Sequence, residues 1–245
     1  FKVGDLEVAQ GQGNNRLDAR KQLLTQLDEI QRRTESRSTQ MHDSAYDRAF
    51  RLLTSPKAKQ AFDLNQENEK QRDRYGRNTF GQSCLMARRM VENGVRFVQL
   101  YHQGWDQHGN LFTQLENQCK DTEGPSAALV KDLKERGMLD DTLVIWGGEF
   151  GRTSFSQGKL TPEGFGRDHH PGCYSIWMAG GGIKSGMVYG ESDDFAHNVV
   201  KDKVHVHDFH ATILHQLGLD SRRLEIPGRK RLDIDHGQPI RELIG

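Results

Sequence analysis

Four short stretches of the chain carry residue types able to hold an ion or handle a charged substrate. The first is GWDQHGN, residues 104–110, where Asp106 and His108 stand two positions apart. On a bent loop a carboxylate and an imidazole at that spacing can reach one cation, or can simply line a surface turn. The second is GGEFGRT, residues 147–153. Glu149 offers a ligand or base, and Arg152 a fork of donors suited to an anionic oxygen; the pair can equally well bond to each other and hold the loop. The third is RDHHP, residues 167–171. Adjacent histidines do not easily face one ion, so one is expected to ligate while the other packs or binds substrate, with Asp168 a ligand or an orienting partner. The fourth, His205, His207, Asp208, His210 and His215, has metal-like spacing but straddles a helix start, where capping and packing also account for it.

Taken together, Asp106, His108, Glu149, Asp168 and His169 form a hard set of oxygen and imidazole ligands with no cysteine among them. Such a set suits zinc, manganese, calcium or magnesium, as one ion or two, better than a thiolate-seeking metal. The ion would polarise a phosphoryl or sulfuryl oxygen or activate water. In that chemistry Glu149 and Arg152 are the catalytic candidates, and Arg152 and His170 the candidates for substrate binding.

Three apolar runs are expected to position these loops. Val95–Tyr101 and Thr142–Trp146 read as buried strands, each followed by ligand-type residues, and Leu111–Arg136 between them reads as a long helix with a restart at Pro125. Strand, helix, strand predicts a parallel βαβ unit, and open α/β sheets keep their sites just past such strand ends. Cys173–Ala179 reads as a third core strand running into a structural turn at Gly180-Gly181-Gly182. Residues 15–37, 43–54, 58–64, 80–93 and 209–217 have helical spacing, with Gly94, Gly137 and Gly218 as terminators, while 65–77 is a solvated helix or loop. The expected organisation is one domain over 1–245, with 1–93 mostly helical and 94–245 carrying the sheet and site loops.

Bulk composition narrows the partners. With 34 Lys+Arg against 34 Asp+Glu in 245 residues, no broad field attracts nucleic acid or an anionic membrane. Basic groups such as Arg222, Arg223, Arg229, Lys230 and Arg231 are local. Three scattered cysteines make neither a disulfide framework nor a CxxC metal site. No apolar run approaches the roughly 20 residues of a membrane span. The chain starts at Phe1 in mid-phrase, so a missing leader is uninformative.

The phrases RDRYGRNTFGQSCLMARRMVENGVRFVQL, GWDQHGN, LVIWGGEFGRT, GRDHHPG, GGGIKSGMVYGESDD and HDFHATILHQLGLD resemble, in order, an uncharacterised bacterial sulfatase-like family, a domain of unknown function related to the alkaline-phosphatase superfamily. The resemblance implies an α/β fold, a mainly parallel sheet flanked by helices, and a metal site for ester hydrolysis. It also implies an extracytoplasmic location, periplasmic or secreted. Asp106 and His108 would match the superfamily's Asp-and-His ligand pair, and His169 or His170 its late histidine. Its Asp-His-Gly turn reads here Glu149-Phe150-Gly151, so the acid is kept and the histidine is replaced. The nucleophile and its strand have no counterpart in residues 1–40; either they precede Phe1 or the protein lacks them. The expectation is a metal-dependent hydrolase of sulfate or phosphate esters acting on a small anionic ester. The alternative is a binding protein that keeps the fold, for a sulfated glycan or a protein partner.

Overall fold

The structure, a computed structural model, describes residues 19–24, 26, 55–226, 228 and 236–245. The expected strand-like piece in 1–13, most of the helix over 15–37, the helix over 43–54, and Arg229, Lys230 and Arg231 lie outside the described residues. The chain divides into two units, Phe1–Leu100 and Tyr101–Gly245.

The described part of the first unit is helical. Helix α1, Pro56–Phe62, starts where Ser55 accepts a bond from the Ala58 amide at 3.3 Å and proline occupies the first turn. A 3-10 turn, Leu64–Gln66, leads to α2, Glu69–Arg74, capped by Asn68. Helix α3, Thr79–Glu92, is capped by Asn78, whose side-chain oxygen accepts from the Gly81 amide at 2.7 Å. Its inner face buries Cys84, Leu85, Met86 and Ala87 among a core that includes Ala61, Leu64 and Tyr75. At its end Val95 N–H reaches the Met90 carbonyl (3.0 Å) and Gly94 N–H the Val91 carbonyl (2.9 Å), a paired closure that needs the positive φ of Gly94.

Two arginines on α3 are buried as well. Arg88 is 1% exposed; its Nη2 lies 2.9 Å from Glu67 Oε2, and its Nη1 pairs with Glu92. Arg89 donates to Glu67 Oε1 at 2.5 Å and to the Ala61 and Gln60 carbonyls at 3.1 and 2.5 Å. It thereby serves carbonyls in the last turn of α1, where the Gln60 carbonyl also accepts from the Asp63 amide at 3.2 Å. Burial raises the Glu67 pKa, but the hydrogen bonds and charges of Arg88 and Arg89 outweigh it, and the net pKa is lowered.

In the second unit, α4, Leu111–Glu135, runs unbroken through Pro125 and closes at Gly137 by the same pair of bonds, Met138 to Leu133 and Gly137 to Lys134. Strand β1, Val144–Trp146, pairs with β4, Trp177–Ala179; β2, Gly151–Arg152, with β3, His169–His170; and β5, Glu191–Ser192, with β6, Val199–Lys201. Helix α5, Val206–Gln216, follows. Its N-cap is His205, whose Nδ1 accepts from the His207 amide at 3.3 Å, so the fourth histidine group supplies a cap. Thr212, buried on α5, accepts a bond from the Ile240 amide at 3.0 Å and ties down the C-terminal segment.

The expected mainly parallel, α/β sheet flanked by helices is therefore incorrect. Among the described residues all three sheets are two-stranded and antiparallel, with strands two or three residues long. Val95–Tyr101, the strand expected to open a βαβ unit, is not a strand, and Phe97 and Tyr101 are 70% and 86% exposed. Its β-branched and aromatic content suits a pleated, half-buried surface only where a neighbouring strand supplies one. Without it α4 has no upstream strand to cross over from, and β1 pairs with a chain that returns through a loop in the opposite direction. The other two strands are also shorter than expected, beginning at Val144 and Trp177. Among the described residues no helix is long and apolar enough to cross a membrane.

Candidate metal centre

Three segments of the second unit build one cluster. The β2–β3 ladder sets Arg152 opposite His169 and Gly151 opposite His170. Gly151 is required for this approach, since a Cβ there would stand 2.1 Å from the Cys173 carbonyl oxygen. Beyond the ladder, the buried Thr153 donates its amide to the Asp168 carbonyl (2.9 Å), and its hydroxyl accepts from the Asp168 amide (3.1 Å). The loop carrying Asp106 and His108 is held to the same segment by the Arg167 amide, which donates to the Gln107 carbonyl at 3.0 Å. Gly166 lies flush on that loop, where a Cβ would meet the carbonyl carbon and oxygen of His108 at 2.1 Å.

The result is convergence on one oxygen. Asp106 Oδ1 lies 2.7 Å from Arg152 Nη2, 2.9 Å from His108 Nε2 and 3.0 Å from His169 Nε2. One ligand atom from each of Asp106, His108 and His169 fits within 4.8 Å of the others. The hydrogen bonds from Arg152 and then His169 hold the Asp106 carboxyl well below the usual carboxylate range, so it is an ionised acceptor. Arg152 is anchored by the Trp105 carbonyl at 3.0 Å and the Arg167 carbonyl at 3.4 Å, and its guanidinium sits 5.8 Å from the Phe150 ring centre. Phe150 in turn packs on the His169 ring, 4.5 Å between centroids.

Two imidazole nitrogens and a carboxylate oxygen facing one point match the ligand types of a mononuclear site with open positions for water or substrate. Separations of 2.9 and 3.0 Å from Asp106 to the two Nε2 atoms are close to the edge of a tetrahedron, about 3.3 Å for bonds of about 2.0 Å.

The remaining candidates stand elsewhere. Glu149 is exposed, and among the described residues no ion pair joins it to Arg152, whose guanidinium lies on Asp106 instead. Asp168 turns one carboxylate oxygen back to the His169 amide at 2.8 Å. Neither belongs to the group of three. His170 stacks on His197, 4.4 Å between centroids, and its Nε2 lies 2.6 Å from the His197 carbonyl oxygen. Reading the sequence passed over Gln157, whose Oε1 is 2.5 Å from His108 Nδ1, and the close-packed Gly166. The nearest signal was the glycine density around Gly158, Gly164 and Gly166, which marks tight backbone packing without saying against what.

Residues 2–244 match the family described as a protein of unknown function (DUF1501), and the chain belongs to that family. No curated protein and no solved structure matches it. The resemblance to sulfatases and the alkaline-phosphatase superfamily is thereby corrected. The matching family's description gives no support for such a relationship, and the short antiparallel sheets are not the mainly parallel sheet it implied.

Proposed function

We propose that Asp106, His108 and His169 bind one divalent metal ion and that the centre, with Arg152 beside it, hydrolyses a phosphate or sulfate ester. The observation that supports this reading is the convergence of two imidazole Nε2 atoms and a guanidinium on a single ionised carboxylate oxygen, all within 3.0 Å. Two imidazoles favour zinc or manganese over calcium or magnesium, which prefer oxygen ligands throughout. When bound, the ion supplies a polarised or deprotonated water. Arg152, pinned by two backbone carbonyls, is placed to neutralise an anionic ester oxygen. Zinc or manganese titration, together with a panel of phosphate and sulfate esters assayed with and without chelator, tests the reading. Binding lost in Asp106→Ala and turnover abolished by chelator are expected; a protein that takes up neither ion overturns it.

A second reading is supported by exposure. The three ligand side chains are 66%, 39% and 46% accessible, which is open for a site that must exclude water during catalysis. A metal-assisted binding site for an anionic ligand such as a sulfated glycan accounts for that openness, and metal uptake without turnover on any ester would favour it.

A further inference from the structure

Gln157 lies 49 positions from His108 in the chain, yet its Oε1 sits 2.5 Å from His108 Nδ1. We infer that Gln157 is a positioning residue of the metal centre: its amide oxygen accepts the Nδ1–H of His108 and so keeps the Nε2 lone pair directed at the ion. The inference rests on the metal reading above and adds to it the group that orients a ligand.

The contact is built by backbone. Residues 157–166 form a loop closed at its neck by a bridge between Gln157 and Gly166, with the Gln157 amide donating to the Gly166 carbonyl at 2.9 Å. The loop lies along the segment that carries His108. The Asn110 amide donates to the Glu163 carbonyl at 2.9 Å and the Leu111 amide to the Phe165 carbonyl at 3.0 Å, while Gly166 touches the His108 carbonyl group itself. These backbone contacts hold the root of the Gln157 side chain against His108.

The chemistry follows from counting protons on the ring. His108 has an oxygen on each side, Gln157 Oε1 at Nδ1 and Asp106 Oδ1 at Nε2, 2.9 Å away. A neutral imidazole donates only once. With the proton on Nδ1 and given to Gln157, Nε2 faces the carboxylate as a bare lone pair, an arrangement that a metal ion relieves. Without Gln157 the carboxylate would draw the proton to Nε2 and occupy the atom the metal needs. Outer partners of this kind change metal affinity by about 10–100-fold.

The test compares the wild-type chain with Gln157→Leu and Gln157→Glu. Zinc affinity is measured by competition with a chromophoric chelator, and the proton position on His108 by long-range 1H–15N spectra of the metal-free proteins. Gln157→Leu is expected to lose about 10–100-fold in zinc affinity and to carry its proton on Nε2 alone, while Gln157→Glu, which keeps an acceptor, retains Nδ1–H and binds within a few-fold of wild type. Gln157→Ala is the substitute if the leucine variant is not folded by circular dichroism. Unchanged affinity and an unchanged Nδ1–H in Gln157→Leu would overturn the role of Gln157 and leave the metal reading standing. A wild-type chain that binds no zinc would sink the metal reading, and the spectra would then show whether Gln157 holds the ring at all.

Discussion

Each unit of this protein contains one carboxylate that gathers cationic or donor side chains, and the two clusters differ in every respect that separates structure from function. In the first unit Glu67 uses both oxygens, one for Arg88 and one for Arg89, and its side chain is 11% exposed. Glu92 adds a second negative charge, and the Gln60 and Ala61 carbonyls take further guanidinium protons. Two carboxylates thus balance two guanidinium groups. In the second unit one oxygen of Asp106 faces Arg152, His108 and His169 in the open. A neutral, largely buried set fixes a fold; an open convergence of polar side chains on one atom leaves room for a partner, as proposed above.

The largest expected effect tests the closed half. Glu67→Ala leaves two buried guanidinium groups without their shared anion and should cost about 3–5 kcal/mol in urea unfolding. A loss under about 1 kcal/mol would show that the cluster does not hold the first unit together. Its pH dependence has a definite sign. Because the folded pKa of Glu67 lies below its ordinary value of 4.5, its contribution is complete above that pH and is lost as pH falls through the lower folded value. Glu67→Gln should flatten this part of the acid-unfolding curve.

Asp106→Ala should show the opposite signature. Zinc affinity is expected to fall by more than the roughly 10–100-fold of a lost outer partner, while the unfolding midpoint barely moves, because the side chain is exposed. If calorimetry instead shows a destabilisation matching that of Glu67→Ala, the contrast between the clusters collapses. Gly166→Ala sharpens it from the side of the backbone. A methyl group 2.1 Å from the His108 carbonyl must push the two loops apart, with an expected cost of about 1–3 kcal/mol and a measurable drop in zinc affinity. Equal zinc binding in this variant would mean the loop contact does not set the geometry of His108.

The smallest expected effect is chemical. Burial pushes the Cys84 thiol in the first unit up to about 12, whereas Cys119 on α4 is exposed. Iodoacetamide followed by peptide mass analysis should find Cys119 modified in the native protein and Cys84 only after denaturation. Early labelling of Cys84 would mean that the core of the first unit opens readily.

Much of this was legible in the residues alone. Helices α3, α4 and α5 were expected within a few positions, and Gly94, Gly137 and Gly218 end them with paired bonds to the preceding turn. Asp106, His108, His169 and Arg152 stood out as candidates, and the structure gathers those four while Glu149 and Asp168 stay outside the cluster of Asp106, His108 and His169. The sheet was not legible. Val95–Tyr101 has the composition of a strand, but composition reports which surface a segment suits and says nothing about whether a neighbour exists to make it.

By itself, then, the chain's order of residues determined what depends on near neighbours: helical periodicity, caps, glycine terminators and the chemical types available in each loop. Only the tertiary structure decided direction and convergence. It turned β1 and β4 antiparallel, swung Arg152 from Glu149 to Asp106, and brought Gln157 to a histidine 49 positions away. Local hydrogen bonds and spacing are written every three or four residues, whereas a long-range contact is selected by loop closure and packing over the whole unit, which no short stretch of sequence contains.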